Sequence, residues 1–441
     1  MVCGAGELEW EAFTSGVFCF YARTYLRLGD EFDDEFLYAR RVVHDLCRSQ
    51  HYWMSYGTLR HALRRLQWKD PRDTVYAVRY LLRPSDRLLE FVPDYARPVG
   101  EVYQEDIATR LAVGLGDLSF LGTCELGSSS IAGLATWIPD WSSPMKYPWL
   151  IEPIWSACGW ISAHAECISP GVLRVAGVSA ARINKTQGMV GMPPMTLNGW
   201  HFDWALIIDT IKAFLLQSHL VLTEKYVGGG TLLEAYCLAL HEGRTSENFA
   251  GTCGVALSIT GAKETLMSIA DMKHVPSQAE AGEDVEYFLS TTNQALCGRC
   301  FISTTEGYIG LAPAAAEPGD VVCVLLGMHV PVVLREMPTL GKWQVVGACC
   351  VPGLMWGEAI TGNRMPHSRP VRYNAEVENI IDGHTVGMAD SRDGSNKTNP
   401  AEMLKERGIE VIQYERNPHR LEVSADALRE GGIDLRYFEL V

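Results

Sequence analysis

What this sequence lacks narrows it first. It has no run of about 18 uninterrupted apolar residues, the length a membrane-spanning helix requires. Its most apolar stretch, 204–222, is broken by Asp209, Lys212, Gln217 and His219. Neither a basic segment nor an apolar one follows Met1, so no secretory leader is expected and the chain reads as cytoplasmic. Positive charge is scarce: 38 Lys and Arg stand against 53 Asp and Glu, a formal net charge of -15. That balance excludes general nucleic-acid binding, which needs cations to displace phosphate counterions, and adhesion to anionic membranes. No period of a repeat protein is present.

Motifs that carry chemistry are equally scarce. No HExxH or paired histidine and carboxylate set occurs among the twelve histidines. His44, His51 and His61 fall in helical patterns, where a hydrogen-bonded structural role is the default. Gly228-Gly229-Gly230 precedes a helical stretch but has neither the lysine of a phosphate loop nor dinucleotide spacing, and reads as a hinge. Gly127-Ser128-Ser129-Ser130-Ile131-Ala132-Gly133 has the letters of a hydrolase elbow at the wrong spacing. Cys297 and Cys300 form a lone CxxC without a second ligand pair, and Cys349-Cys350 in a strand would point to opposite faces. No metal and no cofactor is therefore expected.

What is present is ample core material. Of 441 residues, 47% are hydrophobic and only 21% charged, enough for one large domain or two ordinary ones. Thirteen cysteines, an odd and scattered set, read as buried thiols rather than disulfides. Apolar residues at three- and four-residue spacing predict helices over 19–28, 34–47 and 56–68, then from Thr74 to Leu82 and from Val99 to Leu115. Asp70 reads as a helix cap, with Arg72 and Asp73 in charge-assisted contacts. The segment 200–295 reads as helical again. Alternation predicts a strand at Val172–Val178 and a series of short strands over 299–360, punctuated by Glu306-Gly307, Pro318-Gly319-Asp320 and related turns. The chain thus reads as α+β: a helical part over 1–150 packed on a small antiparallel sheet or barrel over 151–360. A helical insertion occupies about 200–295, and 361–441 forms a C-terminal extension.

Several segments are similar, in order, to the fungal heterokaryon-incompatibility (HET) family. Cys3-Gly4 with Trp10, Asp70-Pro71-Arg72-Asp73 through Tyr76-Ala77, Pro93-Asp94-Tyr95 with Val102-Tyr103, and Trp137-Ile138-Pro139-Asp140-Trp141-Ser142 resemble family elements. Leu173-Arg174-Val175-Ala176-Gly177 corresponds to a family strand. The late block, Glu306-Gly307-Tyr308-Ile309-Gly310, Pro318-Gly319-Asp320, Pro331 to Arg335, Val346-Gly347 and Gly357-Glu358, reproduces the pattern nearly in full. The likeness runs from residue 3 to about 360. The family's tyrosine- and tryptophan-rich opening elements, which belong to its TIR-like half-domain, do not occur here. The resemblance therefore implies the C-terminal two thirds of such a protein, without the half thought to trigger cell death and without nicotinamide-dinucleotide turnover.

Trp137, Trp141, Trp149, Trp155 and Trp160 crowd one proline-rich stretch. They are either core that glues the helical part to the sheet, or the lining of an apolar pocket with Asp140, His164 and Arg299 as polar groups. In the second case the chain would be a cofactor-free cyclase of secondary metabolism, of Diels–Alder type, acting on a small apolar terpenoid or polyketide. Such a reaction needs a shaped cavity and a hydrogen-bond donor or two rather than a nucleophile. The alternative is a non-enzymatic interaction module of incompatibility or innate immunity. Oligomeric state is not legible.

Overall fold

The computed structural model describes residues 68–77, 92–112, 117–143, 155–188, 203–217, 222–245, 257–276, 280–362, 368–373, 385–390, 400–413 and 421–441. It also describes residues 2, 3, 6, 7, 9, 12 and 43. The helices predicted over 19–28, 34–47 and most of 56–68, and Trp149, lie outside the described residues.

The fold is α+β. Helices α1 (Asp73–Tyr76) and α2 (Val99–Ala112) precede strands β1 (Ala165–Ser169) and β2 (Val172–Gly188). Helices α3 (Trp204–Gln217), α4 (Leu232–Leu240), α5 (Ile259–Asp271) and α6 (Glu283–Leu296) come next in the chain. A meander follows: β3 (Arg299–Thr304), β4 (Ile309–Pro313), β5 (Val321–Leu325), β6 (Val332–Met337) and β7 (Lys342–Ala348). Helices α7 (Glu358–Thr361), α8 (Pro400–Glu406) and α9 (Ala425–Glu430) then lead to β8 (Leu435–Leu440).

Local chemistry explains the helix starts. Thr231 and Glu234 form a reciprocal capping box at α4, and Lys263 of α5 bonds the same glutamate at 2.8 Å. Ser258 caps α5 by accepting from Gly261 N at 3.0 Å, and three acidic residues occupy the first turn of α6.

Asp70 does not cap α1, contrary to expectation. It accepts from Arg72 N at 2.9 Å and holds the Arg72 guanidinium in a two-pronged contact. That guanidinium in turn donates to Arg97 O at 2.8 Å, while Tyr76 Oη donates to Asp94 O at 2.9 Å. The Asp-Pro-Arg-Asp and Pro-Asp-Tyr elements are thus two halves of one clasp.

The long strand β2 organises the sheet. Its Leu173–Val178 stretch pairs with β8, Gly177–Arg182 with β5, and Ile183–Gly188 with β3. Antiparallel pairing continues from β5 to β6 and from β6 to β7. β7 meets β8 in parallel at Leu440 and Trp343, and β8 returns to β2. Five strands therefore close into a ring. Register shifts at Ser179/Ala181 in β2 and Val333/Leu334 in β6 supply the local bends that curvature needs.

Alternating residues then serve different cores. Val321, Cys323 and Leu325 join Leu173, Val175, Val332, Leu334, Val345, Phe438 and Leu440 in the first core, which α2 extends through Val102, Tyr103 and Ile107. Val322, Val333 and Val346 face the insertion helices in the second. Val324, Leu326, Ala176 and Val178 meet Leu404, Leu421, Leu428 and Ile433 in the third. Part of the segment read as a C-terminal extension thus closes the ring and covers one face. Among the described residues no helix is long and apolar enough to cross a membrane.

The closing strand tests this arrangement. Phe438 is fully buried with its ring 5.3 Å from that of Trp343, whereas neighbouring Tyr437 is 48% exposed. Phe438→Ala should cost about 3–5 kcal/mol in denaturant unfolding and Tyr437→Ala far less; equal small losses would mean that β8 does not close the ring.

Candidate functional site

The seven residues singled out by sequence divide among three cores and one serine-lined loop. Trp137, Trp141 and Trp155 are fully buried in the first core. Trp160 packs against the third, in a left-handed backbone conformation of φ 65° that bulky residues rarely adopt. Its N–H donates to Ser156 Oγ at 2.8 Å and its carbonyl accepts from Leu421 N at 2.9 Å, which hold the turn. His164 is partly buried, with Nε2 2.7 Å from Val423 O. Arg299 begins β3 and donates to Ala348 O at 2.5 Å, beside the second core. The structure brings the first three tryptophans together and leaves the other residues with other neighbours.

Asp140 is spoken for. Its Oδ2 accepts from Ser129 Oγ at 3.0 Å, Ser130 N at 2.9 Å and Ser130 Oγ at 3.2 Å, and its Oδ1 accepts from the N–H and hydroxyl of Ser142. The serine run that lacked hydrolase spacing is this carboxylate's donor set. Burial pushes the Asp140 carboxyl up, and those hydrogen bonds outweigh it, leaving it below the usual carboxylate range. Trp137 Nε1 donates to Gly171 O at 3.0 Å, in the turn between β1 and β2, and so fastens the loop to the sheet.

A second group of polar side chains, which sequence reasoning missed, gathers where α4, β3 and the end of β7 meet. Glu242 and Arg244 follow α4 and pair at 3.2 Å, both buried or nearly so. Burial raises the Glu242 carboxyl, while Arg244 and Arg299 pull the other way. Cys349 and Cys350 join the second and first cores respectively, on opposite faces as their adjacency predicts. Burial lifts the Cys300 thiol to about 11 and Cys349 to about 12, so both stay protonated and poorly nucleophilic.

His241 is the odd member. It is fully buried, its ring lies 4.3 Å from that of Phe288 in α6, and neither ring nitrogen has a hydrogen-bond partner. Burial, helped by repulsion from Arg244, drops it to about 3. Thr292, one turn beyond Phe288, has an unpartnered buried hydroxyl as well. The group offers a neutral imidazole and a fixed ion pair. Among the described residues no three histidine, cysteine or carboxylate side chains come together as metal ligands. The available signal was His-Glu-Gly-Arg at the end of an apolar helix, which reads in sequence as an ordinary polar exit.

Residues 262–366 match the family model of the Het-6 beta-barrel domain, a match that supports a heterokaryon-incompatibility relationship. No curated protein and no solved structure matches the chain. The matched stretch runs from α5 through α7 and includes β3 to β7; β2 and the closing strand β8 lie outside it.

Two outcomes can be measured here. Asp140→Asn should cost on the order of 1–3 kcal/mol, because the amide replaces a charged buried acceptor. Trp141→Ala should cost about 3–5 kcal/mol, since it empties core volume. A Trp141→Ala variant as stable as the parent in urea would place that ring on an open cavity instead.

His241 supplies a pH signature. Its folded value lies below the ordinary 6.5, so the fold binds this proton less well than the unfolded chain does. Its contribution is intact above pH 6.5 and drains as pH falls toward 3, by about 1.4 kcal/mol per unit. Relative to the parent, His241→Leu should gain about 2 kcal/mol between pH 7 and pH 5. Parallel stability curves for the two proteins would refute the buried neutral imidazole.

Proposed function

We propose that the chain is a recognition module of the heterokaryon-incompatibility kind, whose closed barrel holds a binding surface in shape. The observation that carries this reading is the Het-6 beta-barrel match over the meander β3 to β7. Residues of the resembling late block agree with a scaffold role. Asp320 accepts from Arg335 Nε at 2.8 Å and from another guanidinium nitrogen at 2.9 Å, and it receives Glu317 N at 2.8 Å. Glu306 receives Arg182 N at 2.9 Å. These side chains spend their hydrogen bonds on the barrel's own turns.

A second reading, a cofactor-free cyclase acting on a small apolar metabolite, has one observation in its favour. The indole N–H of Trp155 is fully buried without an acceptor. Buried indoles ordinarily find one, and a ligand carbonyl could serve.

Heterokaryons between fungal strains that differ in this gene separate the two. The recognition reading expects their viability to depend on the chain, with the dependence abolished by Phe438→Ala. Viability indifferent to the chain, with turnover of an apolar polyketide or terpenoid by the purified protein, would overturn it in favour of the cyclase. Saturable quenching of tryptophan fluorescence by such compounds, lost in Trp155→Phe, would be the first sign of that outcome.

A further inference from the structure

One short segment belongs to all three cores. Val351 and Leu354 lie in the second core, Met355 in the first with Trp356 packed against it, Ala359 touches the second and third, and Ile360 is buried in the third. The segment is held by two backbone crossings between glycines. At Gly353 an added Cβ would sit 2.4 Å from Gly228 Cα, and at Gly357 one would sit 3.2 Å from Gly159 Cα. Both glycines of the segment have positive φ, 87° and 84°, so a side chain there is disfavoured twice over. Tyr226 Oη reinforces the first crossing: it donates to Pro352 O at 2.9 Å and accepts from Ile309 N at 3.1 Å. Ser156 N donates to Met355 O at 3.0 Å beside the second.

Within residues 351–361 only Glu358 carries an ionisable side chain. It is partly buried, and its Oε2 receives Trp356 N at 2.6 Å. Among the described residues, the ionisable groups that face it are not cations. Tyr226 and Tyr308 stand on the side of the second core, with Cys350 behind them and Glu306 beyond Tyr308. The turn 156–161 presents only Cys158. Arg407, the basic side chain on the side of the third core, donates to Ile360 O at 3.1 Å and lies against Gly362, at the far end of α7. Nothing among these neutralises a carboxylate.

We propose that residues 351–361 form a proton-controlled joint: with Glu358 neutral the three cores are locked together across the two glycine crossings, and with Glu358 charged the Gly159–Gly357 crossing loosens. Burial raises the Glu358 carboxyl from the ordinary 4.5 to about 7, against the pull of backbone N–H donors. The closed joint thus holds its proton more tightly than an opened, hydrated one. Its stability is fully present below pH 4.5, falls as pH rises, and reaches its lower level above about 7. The slope runs opposite to that of His241, so the two titrations offset each other in global unfolding and only a local measurement separates them.

Amide hydrogen exchange of the full chain provides it, corrected for the intrinsic pH dependence of exchange. Opening of 351–362 and 155–162 should rise several-fold per unit between pH 5 and pH 7 and level off above, less than the tenfold limit because water screens a partly exposed carboxyl. The helix 425–430 should show no such change. In Glu358→Gln, which keeps the shape without the charge, both segments should stay at their low-pH protection throughout. A Glu358→Asp variant, which retains the titration, should keep a pH-dependent opening and guards against a glutamine variant that fails to fold. A flat profile in the parent, or an undiminished rise in Glu358→Gln, would overturn the joint.

Discussion

Closure of the ring is the constraint on which the rest of this molecule depends. β1 and then β5 line one edge of β2, but on the other edge the meander supplies only β3, which pairs from Ile183 onward. The Leu173–Val178 stretch is completed by β8, which arrives from more than 250 residues later. Once β8 is seated, its inner residues Phe438 and Leu440 fill the first core and its outer residue Leu435 joins the third. Val441 then ties in the tryptophan loop: its N–H donates to Trp343 O at 2.9 Å, and its carbonyl accepts from Thr136 N at 3.0 Å. Loop, meander and closing strand share one hydrogen-bonded seam.

The buried polar groups divide by how well they are satisfied. Asp140, Asp320 and the Asp70–Arg72 clasp are saturated with donors, and each fixes a loop. His241 and Thr292 are apolar in all but name, with no partner for their polar atoms. A saturated network fixes geometry, whereas an unpartnered group spends stability and makes it depend on pH. The unpartnered His241 packs on Phe288 of the second core, where the helices between β2 and β3 meet the barrel.

Much of this was legible in the sequence. The strands of the meander announced themselves because each is short, alternates between faces, and is bounded by glycine and proline turns. The helices of 200–295 did so through apolar spacing, whereas the Thr231 and Ser258 caps emerged only with the structure. The length of β2 was not legible beyond Val178. Its continuation, Ser179 to Gly188, is rich in polar residues and serves as a shared edge, so its strand character comes from the partners β3 and β5 rather than from its own pattern. The role of β8 was hidden for a similar reason. Leu-Arg-Tyr-Phe-Glu-Leu is an unremarkable strand, and only tertiary pairing gives it a place in the ring. The tryptophan-rich loop was correctly seen as dense, but density alone could not distinguish Trp137, sealed in the core, from Trp160, turned toward a different core by its left-handed backbone. Asp140 was found by its company of aromatics, while its serine donors were visible only as a failed catalytic motif.

The remote pairing of β8 also governs how the protein reaches its shape. During synthesis the meander and the insertion helices emerge long before residues 435–440, so the Leu173–Val178 edge waits unpaired while most of the chain is made. Pairings at such sequence separation close slowly, because the intervening loop entropy is lost before the contact forms. In that interval an apolar strand edge is open to other chains, the usual prelude to misassembly. The fold thus carries its principal hazard in time rather than in space, in the interval before β8 emerges to cover that edge.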